Sequence, residues 1–429
     1  MKITAVAVGT RGDVNPLVEL GQEMVKQGHE FRILTVEKFR PLIEGKGVTY
    51  LHLDGDGDHI MQYLVTDYKT GLDFLIGLIK LKKENPAFME QTLDAIRGSD
   101  LVMYGTCSGF ARHAADLLGI RCVRYFYSPY DRTELYSLYS KEHGTPAVAK
   151  SYNNISDGMK MVTGLLMNKW RKQNGLAKVT DFDYYLTQNG KRVLTLYPVS
   201  PILMPMDPAW DRYIQVTGYW YHPEADACGY QEPAELSAFL DNGEKPIFIG
   251  FGKAESKELA QLQRLMLEVV KELGIKAIFQ GDQIPAEQKH NTDKLYFIDN
   301  IPYSYIFPRV RAVVHHGGCT TNGLGIWAGC PTLIIPLALD QYYYGRTMQE
   351  IGMGPAPLYI RKRLCTREEL RQAVLNLVSG KYDERAKELS IQIKKENGIE
   401  KAIKMLTENV SITDGHGRQE GGTCDRTGI

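Results

Sequence analysis

The segment His315-His316-Gly317-Gly318-Cys319-Thr320-Thr321-Asn322 concentrates more chemistry than any other stretch of the chain. It follows an apolar run of strand character, Ala312–His315, and opens a helical pattern, so it sits where a strand gives way to a helix. Glycines there let the backbone approach a ligand closely. A helix start offers unpaired N–H groups and a partial positive charge, which together suit a diphosphate. Thr320 and Thr321 add hydroxyl donors. After the next strand, Asp340 and Gln341 reach the same carboxyl edge of the sheet. A carboxylate beside an amide suits bidentate hydrogen bonding of adjacent sugar hydroxyls. A further candidate is Asp13, on the turn Gly9-Thr10-Arg11-Gly12-Asp13 after the first apolar run. It reads either as the N-cap of a helix over Val14–Gly28 or as a carboxylate facing a cleft; one oxygen for each role lets both hold.

Other motifs carry less. Gly9-Thr10-Arg11-Gly12 lacks the third glycine of GxGxxG, which argues against a nicotinamide dehydrogenase. Asp54-Gly55-Asp56-Gly57-Asp58 imitates the start of a calcium loop, but position 12 falls on Val65, so a solvated turn is the better reading. His315 reads as a packed strand end, and His29 as closing the first helix. The tyrosines at 125, 127, 130, 136, 139 and 152 form either an acceptor wall or ordinary packing.

These residues need a scaffold of parallel strands. Ile3–Val8, Phe31–Val36, Leu101–Tyr104 and Cys122–Tyr127 read as strands alternating with helical spacing. Prolines then cluster from Pro198 to Pro233, and the pattern restarts with strands at Pro246–Phe251, Lys276–Gln280, Leu295–Ile298, Ala312–His315 and Thr332–Pro336. Helices are expected at Leu259–Leu273, Arg367–Val378 and Glu384 to about Glu408. This predicts an α/β chain of two facing Rossmann-like domains with the active site between them. The expected division is 1–205 for the first domain, 206–240 for a linker and 241–385 for the second domain. A C-terminal helix over 386–410, packing back on the first domain, and a disordered tail over 411–429 complete it.

Composition sets the outer bounds. With 429 residues, 43% of them hydrophobic, the chain suits two cores rather than one. Lys plus Arg and Asp plus Glu both number 51, so no global field favours nucleic acid or an anionic membrane. The seven cysteines, at 107, 122, 228, 319, 330, 365 and 424, form no CxxC pair and read as reduced thiols. Ile3–Val8 is too short for a secretory signal. The apolar stretch near Leu72–Leu81 is interrupted by Asp73 and Lys80. A cytoplasmic, soluble protein with at most peripheral membrane contact is expected, as a monomer or weak homodimer.

The 315–322 segment with Gly329-Cys330-Pro331 and Asp340-Gln341 resembles the nucleotide-sugar signature of the inverting glycosyltransferases of the two-Rossmann-domain (GT-B) type. It is most similar to the branch of sterol glucosyltransferases and bacterial natural-product glycosyltransferases. Gly9–Pro16 and Gly250-Phe251-Gly252 resemble that branch's N-terminal motif and linker-side loop, so the resemblance runs from residue 1 to roughly 385. It implies that His316 and the backbone around Gly318, Thr320 and Thr321 bind the donor diphosphate, with the linker-side loop at Gly252 nearby; Lys253, which follows that loop, either adds a cation to the diphosphate or points to water. It implies that Asp340 and Gln341 hold the sugar, that Asn300, Ile301 and Tyr303 meet the nucleobase and ribose, and that Asp13 takes the proton of the acceptor hydroxyl.

The sequence departs from the family pattern in three respects. Lys253 stands where many relatives have Ser, and Thr320 and Asn322 stand where the branch has Gly and Thr. Asn300 and Leu324 occupy the places of a base-stacking Trp and a ribose-binding Glu, which leaves uridine and thymidine both open. The implied activity is transfer of a hexose, from UDP-glucose or a dTDP-sugar, to a hydroxyl of a lipophilic small molecule, needing neither metal nor cofactor. The competing readings are a helper protein without catalysis and a nucleotide-sugar epimerase; the retained Asp13, His316, Asp340 and Gln341 argue against the first, and the Asp340-Gln341 pair with the Asp13 turn against the second.

Overall fold

A computed structural model of the chain describes residues 1–56, 76–77, 79–80, 83–85, 87–133, 135–136, 153, 156–227, 229–252, 257–281, 284–337, 340–360 and 363–408. Two parallel sheets organise it. The first contains β1 (Lys2–Val6), β2 (Glu30–Val36), β3 (Thr49–Leu53), β4 (Leu101–Tyr104), β5 (Arg121–Tyr125), β6 (Leu194–Tyr197) and β7 (Ile214–Val216), in the order β3-β2-β1-β4-β5-β6-β7. The second contains β8 (Ile247–Gly250), β9 (Ala277–Gln280), β10 (Leu295–Phe297), β11 (Ala312–His315) and β12 (Thr332–Ile334), in the order β10-β9-β8-β11-β12. Each opens near its middle and turns back on itself, the doubly wound arrangement in which ligands meet the carboxyl edge. Strands such as β8 and β11 are buried at every position, as expected of a sheet covered on both faces.

Three strands escape the sequence reading. β7 lies inside 206–240, the range expected as linker, so the first sheet extends past residue 205. Its three residues, like the four of β6 and the half-exposed β3, are too short to declare a period. The C-terminal helix expected over 386–410 is two helices, Asp383–Ile393 and Gly398–Glu408, separated by a turn. Ile399, Ala402, Ile403 and Leu406 of the second are buried in the core beneath β1 and its following helix.

That return crossing is tight. A Cβ on Gly398 would stand 2.3 Å from the Tyr219 carbonyl oxygen and 2.4 Å from the Gly218 carbonyl carbon. Gly398→Ala is expected to destabilise the protein by about 1–3 kcal/mol, the range for overpacking. A lowered thermal midpoint bears this out, and an unchanged one counts against the crossing as described. Among the described residues no helix is long and apolar enough to cross a membrane. The tail 411–429 and the Asp58 end of the acidic turn lie outside the described residues.

Candidate functional site

Helix α1 (Arg11–Lys26) follows β1 and carries Asp13; α2 (Phe110–Leu118) follows β4 and α3 (Lys257–Leu273) follows β8. Asp13 is not the N-cap, and the helix starts three residues before Val14. Thr10 caps it, its hydroxyl accepting from Gly12 N–H at 3.2 Å. Asp13, at the third helical position, accepts from Thr10 N–H at 2.7 Å and from the Thr10 hydroxyl at 2.9 Å, both on Oδ2. This capping box fixes the carboxylate at the mouth of the first sheet and leaves Oδ1 outside the box. Burial raises the Asp13 carboxyl above the ordinary range, against hydrogen bonds from Thr10 that lower it. The same turn is tied to the end of β5, where the Tyr127 hydroxyl donates to the Asp13 carbonyl oxygen at 3.3 Å.

On the facing sheet, β11 ends in His315 and the backbone turns through Gly317, at φ 94°, into helix α4 (Cys319–Ala328). A side chain on Gly317 would meet Ile334 Cγ2 at 2.8 Å, so only glycine fits this turn. His315 is fully buried and braces the loop, its Nδ1 accepting from Gly317 N–H at 2.9 Å. Asn322 donates to the Gly317 carbonyl oxygen, also at 2.9 Å. The N-cap, Gly318, has no side chain to fold over the helix start. Helix geometry therefore leaves the N–H groups of Cys319, Thr320 and Thr321 without intrahelical acceptors.

His316 hangs over this helix start. Its Nδ1 is buried with no partner among the described residues. A Cβ on Gly252, at the end of β8, would lie 3.5 Å from its Cε1. Burial lowers the imidazole to about 4, so it is neutral near pH 7 without an anion beside it. A diphosphate would favour the imidazolium and raise that value, so binding takes up a proton at any pH between the two. Affinity for a diphosphate ligand is then expected to fall as pH rises through the raised value. Calorimetry in buffers of different ionisation enthalpy should detect the proton uptake and should lose it in His316→Gln; no uptake in the wild type contradicts this role.

Beyond β12, Asp340 stands at the start of helix α5 (Gln341–Glu350) without capping it. Its carboxyl is raised to about 7, chiefly by burial and further by the negative charge of Asp13. The Gln341 side-chain oxygen accepts from Leu337 N–H at 2.8 Å, which fixes the amide beside the glycine turn. At the other side of the sheet edge, Asn300 is exposed and Ile301 is buried. The Tyr303 ring stacks on Phe307, centroids 4.9 Å apart, and its hydroxyl donates to Gln280 Oε1 at 2.6 Å. The sheet order thus lays out Asn300–Tyr303 after β10, Gly252 after β8, His316–Thr321 after β11 and Asp340–Gln341 after β12 along one edge. Lys253 lies outside the described residues.

Hydroxyls between the two halves went unnoticed in the sequence. Tyr344 of α5 donates to the Tyr127 carbonyl oxygen and lies 3.1 Å from Cys319 Sγ. Tyr219 donates to the Cys319 carbonyl oxygen at 2.9 Å. Tyr136 meets Tyr343 edge-on, centroids 5.8 Å apart. Of the tyrosines left open between wall and packing, 125 and 136 are buried in the core, and 139 and 152 lie outside the described residues. Among those described, no group of three or more His, Cys, Asp or Glu could hold a metal ion.

Two facing parallel sheets with this edge-to-edge site define the GT-B fold of glycosyltransferases. Residues 3–96 match the glycosyltransferase family 28 N-terminal domain, and residues 257–404 the erythromycin biosynthesis protein CIII-like C-terminal domain. The chain is similar to sterol 3-beta-glucosyltransferases, with 30% identity to that of Candida albicans over 94% of this chain and 27% of the relative. It spans about a quarter to a third of the length of the curated relatives it matches. Its fold is that of the kitacinnamycin glycosyltransferase, with TM-score 0.70, 18% identity, and coverage of 95% of this chain and 98% of that one. Glycosyltransferase VinC in complex with DTDP gives TM-score 0.66 and 17% identity, covering 96% and 100%.

Proposed function

We propose that this chain transfers a hexose, with inversion and without a metal, from a nucleotide diphosphate sugar to a hydroxyl of a lipophilic small molecule. UDP-glucose is the favoured donor and a dTDP-hexose the second; sterols and polyketide or flavonoid aglycones are the acceptor classes. The observation that carries the reading is the junction of the two sheet edges at Tyr127: its hydroxyl donates to the Asp13 carbonyl oxygen at 3.3 Å, and its own carbonyl oxygen accepts from Tyr344 of α5, the helix that Asp340 precedes. The names of the relatives support a glucosyl donor and a sterol acceptor. The dTDP complex of a structural neighbour supports the second donor.

Each group then has a task. The α4 N–H groups, Thr320, Thr321 and His316 stabilise charge on the departing diphosphate, aided by the close approach at Gly252 and by Lys253. Fixed donors of this kind contribute roughly 3–4 kcal/mol each where a developing oxyanion is bound. Asp340 and Gln341 hold the sugar hydroxyls, and Asn300, Ile301 and Tyr303 flank the base and ribose, Ile301 through its backbone. Asp13 accepts the acceptor's proton as the new bond forms. Its raised carboxyl narrows the gap to an alcohol and favours transfer concerted with attack.

The test is incubation with UDP-glucose or dTDP-glucose and a panel of sterol, flavonoid and polyketide alcohols, following free nucleotide and glycoside together. Acceptor-dependent release with equal glycoside is expected. Tight nucleotide-sugar binding without transfer to any acceptor would mark a helper protein instead.

A further inference from the structure

A small cavity lies at the carboxyl ends of β4 and β5, lined by Tyr104, Gly105, Thr106, Arg124, Phe126 and Tyr130 among others, with space for about one water-sized group (≈ 10 Å³). Two of its walls are polar and unsatisfied. Arg124 is 1% exposed; its Nη2 pairs with Asp131 and donates to the Thr195 hydroxyl at 2.6 Å, while its Nε and Nη1 have no partner among the described residues. Tyr104 is also 1% exposed, and its hydroxyl has no partner among them either. Buried donors left unpaired are rare, and each calls for an explanation such as a bound group. The Phe126 and Tyr130 rings, stacked with centroids 4.5 Å apart, give the same cavity an apolar side.

The cavity belongs to the sheet edge that carries Asp13. Gly105 packs against the Tyr125 ring, and the Tyr125 hydroxyl donates to the Val6 carbonyl oxygen at the end of β1, at 2.9 Å. We propose that this cavity is the far end of the acceptor site and receives one neutral oxygen, hydroxyl or carbonyl, remote from the hydroxyl that is glycosylated. The size admits a single oxygen. Arg124 and Asp131 already neutralise one another, and the second Asp131 oxygen accepts from the Tyr197 hydroxyl at 2.8 Å. A carboxylate would therefore bring an uncompensated buried charge, whereas a neutral oxygen accepts from Arg124 and Tyr104 without one. An acceptor ending in plain hydrocarbon leaves those donors unpaired.

The inference rests on the proposed acceptor chemistry, and its test separates the two. Binding and turnover are measured on the full chain, with UDP or UDP-glucose present, for two 3-hydroxysteroids differing only in a carbonyl at the far end of the ring skeleton. The ketone is expected to bind more tightly. Tyr104→Phe, which keeps the Arg124–Asp131 pair, is expected to weaken ketone binding by about three- to tenfold and leave the hydrocarbon's affinity unchanged. Equal affinities in the wild type, equal losses in the variant, or no binding of either steroid would overturn the proposal. Preferential binding without glycosylation would instead count against the transferase reading and leave the oxygen site standing.

Discussion

Asp13→Asn is expected to lower turnover by about 10²- to 10⁴-fold, the usual contribution of a positioned general base. The asparagine side-chain oxygen can still accept from Thr10 N–H and its hydroxyl, the two bonds that complete the capping box. Helix α1 should therefore survive, with the thermal midpoint and UDP-glucose affinity close to wild type. Asp13→Ala removes base and box together and should add a stability loss of about 0.5–2 kcal/mol. Steady-state kinetics on one alcohol acceptor, with thermal melts of both variants, separate the roles. An asparagine variant turning over near the wild-type rate would remove Asp13 from the mechanism.

The second large effect is expected at Asp340. Replacing it with alanine should cost about 10²-fold in kcat/KM for UDP-glucose, as for two charge-assisted hydrogen bonds to sugar hydroxyls. Affinity for UDP itself should stay near wild type, because the diphosphate site at α4 is a separate element. pH adds a second readout. The carboxyl is raised to about 7, and accepting from hydroxyls requires the carboxylate, so sugar-dependent affinity should increase as pH rises through that value. Asp340→Asn should flatten this limb. Because Asp13 and Asp340 feel one another, the observed midpoint belongs to the pair. Equal losses for UDP and UDP-glucose in the alanine variant would contradict the division of the sheet edge.

The glycine turns were legible in the sequence because their requirements are local. Gly317 must adopt a positive φ against Ile334, and that demand travels with the strand-to-helix boundary. The role of Thr10 was legible too, since Thr10-Arg11-Gly12-Asp13 is a capping-box pattern, which sets the helix start at Arg11, three residues before Val14. Short strands were not legible: Leu194–Tyr197 offers only four residues, Leu-Thr-Leu-Tyr, which fit a strand or a buried helix turn equally. Contacts between the halves were invisible for a stronger reason. A tyrosine's spacing says nothing about which carbonyl its hydroxyl will meet, so the link from Tyr344 to Tyr127 appears only when both sheets are in place. Tyr303 also stacks its ring on Phe307 and donates its hydroxyl to Gln280, contacts no motif announces.

The central claim is a direct displacement at the anomeric carbon, with Asp13 activating the acceptor on the face opposite the diphosphate. NMR of the glycoside formed from UDP-α-glucose, in the presence of a chelator, tests it most directly. The account predicts the β-anomer, with the large coupling of two axial hydrogens, formed at the same rate with and without the chelator. An α-glycoside, or product only when a divalent metal is supplied, would contradict it.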